Sequence, residues 1–104
     1  MLMKLYYVYL LECSDNLIYT GITNNVARRL EEHNRGLNKN SFTFKRRPVR
    51  LIFYQEFNDA SQAIFFEKKI KRWSAGKKRA LAKNDEILLK LLAECKNNSH
   101  HRNQ

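Results

Sequence analysis

Residues 5–11 read L-Y-Y-V-Y-L-L, apolar or aromatic at every position. Such a run predicts a strand covered on both faces, the central strand of its sheet. Ser14-Asp15-Asn16 is turn chemistry. Leu17 to Thr20 predicts a second strand that completes a β-hairpin and ends at Gly21. Asn24 or Asn25 caps a helix expected over about 26–35, with Val26 and Leu30 towards the core and Gly36 as its stop. Residues 37–48 are polar and basic, with Phe42 and Phe44 interleaved. After Pro48 a third strand, Val49 to Phe57, is rich in aromatic and β-branched residues. Asp59-x-x-Gln62 resembles a capping box, and the helix it opens carries Ala63, Phe66, Ile70 and Trp73 on one stripe. Gly76 is expected to break that helix. A last helical region, Lys77 to about Cys95, has a break at Asn84-Asp85 and buries Leu88, Leu91, Leu92 and Cys95. The order β-β-α, loop, β-α-α predicts an α+β fold, a small three-stranded antiparallel sheet flanked by helices. One domain over 1–96 and a disordered polar tail over 97–104 are expected.

Charge adds a direction to this outline. The net charge is +10, yet residues 1–38 hold four basic and four acidic side chains, and residues 84–104 hold three of each. The excess comes from two tracts without internal acids. One carries Lys39, Lys45, Arg46, Arg47 and Arg50, the other Lys68, Lys69, Lys71, Arg72, Lys77, Lys78, Arg79 and Lys83. Mixed signs suffice for solubility, so a localised field of one sign points to a polyanion, nucleic acid foremost. Two cysteines, Cys13 and Cys95, each at the end of an apolar run, read as buried free thiols in a reducing compartment rather than a disulfide framework. No run is long enough to span a membrane, so a cytoplasmic protein with no membrane partner is expected. Nothing in the pattern calls for an obligate protein partner.

The candidate chemistry lies between Tyr7 and His33. Two triplets, Tyr7-Val8-Tyr9 and Tyr19-Thr20-Gly21, precede Arg29 and His33, which are one helical turn apart. Taken singly, each has an ordinary reading. Tyrosines favour strands, Arg29 has Glu32 three residues on as an ion-pair partner, and His33 complements a helix C-terminus. Glu67 borders the apolar stripe of the later helix.

Taken together, these positions resemble the GIY-YIG nuclease superfamily, within it the small single-domain branch similar to the amino-terminal (URI) domain of the excision-repair nuclease UvrC. The triplets match Gly-Ile-Tyr and Tyr-Ile-Gly, and Arg29, His33 and Glu67 match the family's arginine, histidine-or-tyrosine and glutamate. The segment Trp73 to Lys78 also looks like the small branch, and the resemblance covers roughly residues 4–83. It implies a metal-dependent endonuclease that hydrolyses phosphodiesters in DNA, of a structure-dependent kind linked to repair or recombination. It further implies that Glu67 holds one Mg²⁺ or Mn²⁺ and Arg29 grips the phosphate. Tyr9 and Tyr19 position or deprotonate the attacking water, the choice between them left open, and His33 orients a tyrosine or relays a proton. Gly21 is then structural. Lys39, Lys45, Arg46, Arg47, Lys68, Lys71, Arg72, Lys77 and Lys78 are candidate nucleic-acid contacts. The chain departs from the pattern at Tyr7, where the family has glycine, and at Ile22, where some relatives carry lysine or serine. A protein keeping the fold and charge but not the chemistry would be a catalytically silent nucleic-acid-binding protein.

Overall fold

The structure, a computed structural model, describes residues 4–102, with side-chain burial defined for residues 4–97. Three strands, β1 (Tyr6–Glu12), β2 (Ile18–Thr23) and β3 (Arg50–Phe57), form one antiparallel sheet in the order β2-β1-β3. The all-apolar strand β1 is central, as expected of a strand with no solvent-facing side. Four helices complete the fold: α1 (Val26–Arg35), α2 (Ala60–Lys71), α3 (Ala75–Lys83) and α4 (Asp85–Arg102). A single 3₁₀ turn, Phe44–Arg46, lies in the long loop before β3.

Side chains alternate along a strand, so β1 feeds two cores. Val8 and Leu10 pack with Ile18, with Ala63, Phe66 and Ile70 of α2, and with Leu81, Leu91 and Cys95 of α3 and α4. On the opposite face Tyr9 and Leu11 pack with Cys13, Val49 and, from α1, Leu30. The larger core holds the molecule together. The smaller one, roofed by the lone helix α1, is where the two triplets point their tyrosines.

Capping follows the sequence. Asn25 accepts from the Arg28 amide at 3.0 Å, and Gly36 closes α1 in the left-handed region at φ 66°. Asp59 accepts from the amides of Ser61 and Gln62. Asn84 separates α3 from α4, at the expected break.

Three local expectations are corrected. β2 continues to Thr23, so Gly21 lies inside the strand, paired with Tyr9, rather than at its end. Ile22 and Thr23 are β-branched and sustain the extended backbone. Gly76 lies within α3, in its first turn. The break between α2 and α3 is made instead by Ser74, whose hydroxyl accepts from the Lys77 amide at 3.1 Å. α4 runs on to Arg102, so residues 97–102 are helical rather than a disordered tail. Adding residues to a helix already docked through Leu91 and Cys95 costs less than starting one. Residues 103–104 lie outside those described. Cys13 and Cys95 are free and buried. Among the described residues no helix is long and apolar enough to cross a membrane.

Candidate active site

Tyr9 reaches the site because Gly21 faces it across the β1–β2 pair. A Cβ on Gly21 would overlap the Tyr9 hydroxyl and ring. With only hydrogen there, the Tyr9 ring lies across β2 and its hydroxyl meets Nε2 of His33 at 3.1 Å. The sheet thus sets the tyrosine and α1 sets the histidine. Tyr19, next but one to Gly21 on β2, stands edge-on to the His33 ring, with centroids 5.1 Å apart. The Tyr9 and Tyr19 ring centroids are 6.2 Å apart. Arg29, one turn before His33, completes the group and pairs with Glu32 of the same helix at 3.1 Å. The four side chains whose spacing singled them out therefore meet.

Tyr19, Arg29, Glu32 and His33 line a cavity of about 350 Å³ together with Gly36, Leu37, Asn38, Ser41, Thr43 and Phe44. Tyr19 stands in its wall, whereas Tyr9 is only 1% exposed and lies beneath. Burial raises the Tyr9 phenol well above its ordinary value, and the neighbouring Tyr19 adds to the rise. The Arg29 guanidinium beside it opposes the shift without cancelling it. Burial lowers His33 below its ordinary value and Arg29 lowers it further, while Glu32 acts in the opposite sense. The imidazole is accordingly neutral at pH 7 and able to accept a proton.

Thr43, which no periodicity in the sequence singled out, is 1% exposed, and its hydroxyl lies 2.7 Å from Nδ1 of His33. Ser41 stands 3.0 Å behind it. The sole sequence cue is two hydroxyl residues spaced two apart in an otherwise basic loop. Glu32 was visible as a partner for Arg29 but not as part of the cavity wall.

Glu67 is not brought to this cavity. It lies on α2, which packs against the other face of the sheet, with a side chain 13% exposed and 3.7 Å from Lys71 Nζ. α2 does contact β2, the edge strand that carries Tyr19. Among the described residues no group of three or more His, Cys, Asp or Glu side chains converges as a metal cage. The half-buried oxygen donor of Glu67 fits a hard cation such as Mg²⁺ or Mn²⁺ that takes its other ligands from water and substrate.

The basic candidates divide. Lys39, Lys45, Lys68, Lys71, Arg72 and Lys77 are exposed, Lys77 over the Trp73 ring at 4.1 Å. Arg46 and Arg47 serve the loop itself. Arg46 pairs with Asp15 at 2.9 Å and covers Phe42, which in turn stacks on Tyr19. Arg47 lies over Phe44 and donates to the Phe44 carbonyl at 2.8 Å. Phe42 and Phe44 are thus loop anchors, with cations already on their faces. Lys78 is corrected outright as a surface contact. It is 7% exposed, and its ammonium donates inward to the Ile18 carbonyl at 3.2 Å. Burial, with Lys71 nearby, lowers its pKa.

The chain is similar to known proteins over most of its length. The profile of the GIY-YIG catalytic domain matches residues 5–80. A UPF0213 protein of Desulfotalea psychrophila is 42% identical over 81 residues, covering 78% of this chain and 74% of that protein. A UPF0213 protein of Syntrophus aciditrophicus is 42% identical over 79 residues, covering 76% of this chain and 91% of its own length. Among solved structures, the solution structure of a UPF0213 protein of Bacillus halodurans matches with a TM-score of 0.50 and 37% identity, over 76% of this chain and 83% of that one.

Proposed function

The chain belongs to the GIY-YIG family, and on that footing we propose that it is an endonuclease hydrolysing phosphodiester bonds in DNA with the help of one divalent metal ion. The observation that carries the reading is the meeting of Tyr9, Tyr19, Arg29 and His33 at one cavity. Hydrolysis needs a phosphate held in place, a water relieved of its proton and the added negative charge neutralised. Arg29 offers a fork of donors to the phosphate, which replaces Glu32 as its counter-ion. Tyr19, in the cavity wall, faces the attacking water. The water gives a proton to Tyr19 as Tyr19 passes its own to Tyr9 beneath it and Tyr9 gives its own to Nε2 of His33, which later returns it to solvent. The neutral imidazole thus serves as the base, a part the buried Tyr9 phenol, with its raised pKa, does not take. Hydroxide bonds to phosphorus, the bond to the leaving oxygen breaks, and that oxygen takes a proton from solvent. Glu67, on α2 and outside this cavity, would hold the Mg²⁺ or Mn²⁺, and the ion when bound would supply positive charge to the DNA backbone. Lys39, Lys45, Lys68, Lys71, Arg72 and Lys77 hold flanking phosphates. The substrates proposed are DNAs with branches or nicks, of the kind met in repair or recombination. The test is cleavage of branched, nicked and linear DNAs with Mg²⁺ or Mn²⁺ by the wild type and Glu67→Ala. Loss of cleavage in the variant is expected, and equal cleavage by both rejects the metal role.

The exposed basic tracts favour one second reading, a nucleic-acid-binding protein without turnover. It predicts salt-sensitive DNA binding by the folded wild type and no cleavage of any of these DNAs with either metal.

A further inference from the structure

We infer that Thr43, with Ser41 behind it, is a positioning residue that fixes the His33 imidazole as the Nδ1–H tautomer and so presents a bare Nε2 to Tyr9. The tautomer stands on hydrogen-bond geometry alone, whereas its consequence for turnover rests on the proposed nuclease reading.

Buried hydroxyls require partners, and Thr43, at 1% exposure, has two: Nδ1 of His33 at 2.7 Å and Oγ of Ser41 at 3.0 Å. Ser41 Oγ also accepts the Thr43 amide at 3.3 Å, which pins the loop where the hydroxyl meets the ring. Both ring nitrogens are therefore engaged, Nδ1 by the loop and Nε2 by the sheet. The direction of the chain is set at its other end. The Arg29 guanidinium lies beside the Tyr9 oxygen and can only donate. The Tyr9 O–H then needs an acceptor, and His33 Nε2 stands at 3.1 Å. If Nε2 accepts, the neutral ring carries its hydrogen on Nδ1 and donates it to Thr43 Oγ1. Thr43 passes its own hydrogen to Ser41, and every group in the line is satisfied. In the opposite tautomer Tyr9 would meet two donors, Nε2–H and the guanidinium, and its own O–H would have to turn to Tyr19, away from the shorter line through His33 to Thr43 and Ser41.

The consequence concerns the proton that His33 receives. Thr43 accepts from Nδ1–H in the neutral ring and more strongly in the imidazolium, because a charged donor strengthens the bond. The groups facing this ring are Arg29 and Glu32 from α1, Tyr9 from β1, Tyr19 from β2 and Thr43 from the loop. Of these, Arg29 opposes the added charge and Glu32 favours it. Thr43 supplies an uncharged acceptor at the one ring atom that Tyr9 does not occupy.

The experiment is ¹⁵N NMR of the His33 ring in the wild type, Thr43→Val and Thr43→Ser, with single-turnover DNA cleavage across pH on the same samples. The wild type is expected to show the Nδ1–H form. Thr43→Val, which keeps the shape and loses the hydroxyl, should shift the ring towards Nε2–H and move its titration to lower pH. It should also slow cleavage roughly ten- to hundred-fold, the scale of losing an orienting partner, with substrate affinity unchanged. Thr43→Ser should restore both readouts. An Nε2–H ring in the folded wild type overturns the inference, even if the valine variant fails to fold. So does an unchanged tautomer in Thr43→Val. If the wild type cleaves nothing, the nuclease reading fails while the tautomer still decides the role of Thr43.

Discussion

At the scale of single residues, the second triplet's glycine and the first triplet's tyrosine form one device. Gly21 has no side chain so that the Tyr9 phenol can cross β2 and reach His33. Gly21→Ala should therefore act twice, displacing the phenol from Nε2 and costing about 1–3 kcal/mol of overpacking strain. Chemical denaturation measures the second effect and the His33 ring resonances report the first. A normal His33 environment in the alanine variant contradicts the device. His33 also gives a pH dependence. Its folded pKa lies below its ordinary value of 6.5, so the unfolded chain takes the proton first as pH falls. Its contribution to stability is complete above about 6.5 and is lost as pH falls from there through the folded pKa. Urea unfolding at pH 7.5 and 5.5 should show a larger loss in the wild type than in His33→Gln. The order Tyr9, Tyr19, Arg29, His33 was legible in the sequence because each residue sits at a fixed offset on a strand or helix. Thr43 was not legible, because a loop has no period and a buried hydroxyl declares itself only through its neighbours. Lys78 was misread for a related reason. On a lysine-rich helix a charge run reads as a solvated face, and the one local mark of the buried side is Leu81, three residues after the ammonium that turns inward to a strand carbonyl.

At the scale of elements, the site depends on how α1 and the long loop are fastened to the sheet. Asn34 works as a side-chain strand pair. Its Oδ1 accepts from the Val49 amide at 2.7 Å and its Nδ2 donates to the Val49 carbonyl at 3.0 Å. Those two bonds moor the end of α1 that carries His33 to the start of β3. Asn34→Ala should destabilise the fold by about 1–3 kcal/mol, the cost of leaving partly buried backbone groups unpaired. Equilibrium unfolding measures it, and a change within experimental error would show that Leu30 and His33 hold α1 without Asn34. The same stretch before β3 is moored to the β1–β2 turn by Arg46, which pairs with Asp15 and whose carbonyl accepts from the Ser14 amide at 2.9 Å. Strands, helices and caps followed from alternation, stripes and Asn, Asp or Ser at the right offsets. The positions misjudged were Gly21 and Gly76, both taken as stops. A glycine ends an element only where the backbone needs a left-handed residue, and Gly36, at φ 66°, is the one that supplies it.

At the scale of the whole molecule, the sheet divides the labour. One face carries the tyrosines, Arg29 and His33 under α1, and the other carries α2 with Glu67 and much of the exposed basic charge. Where Glu67 would stand relative to the tyrosines could not be read from sequence, because helix periodicity shows which residues share a stripe but not which sheet face the helix covers. The division makes DNA binding and chemistry separable. The slope of log K against log salt should fall by about 0.9 for each duplex phosphate contact removed. Lys68→Ala and Arg72→Ala should each lower it by about one contact. Lys78→Met should leave the slope unchanged, since its ammonium is spent on Ile18. A reduced slope for Lys78→Met would return it to the interface. The central claim, that Tyr9, Tyr19, Arg29 and His33 make one phosphodiester-cleaving pocket, is tested most directly by single-turnover cleavage of the branched, nicked and linear DNAs with Mn²⁺, comparing wild type with Arg29→Ala. Arg29 lies at the helix surface, so the variant should fold. The account predicts cleavage by the wild type and a loss of about 10²–10³-fold in the variant, the scale of removing one transition-state donor. Equal rates, or a folded wild type that cuts none of the substrates, would contradict it.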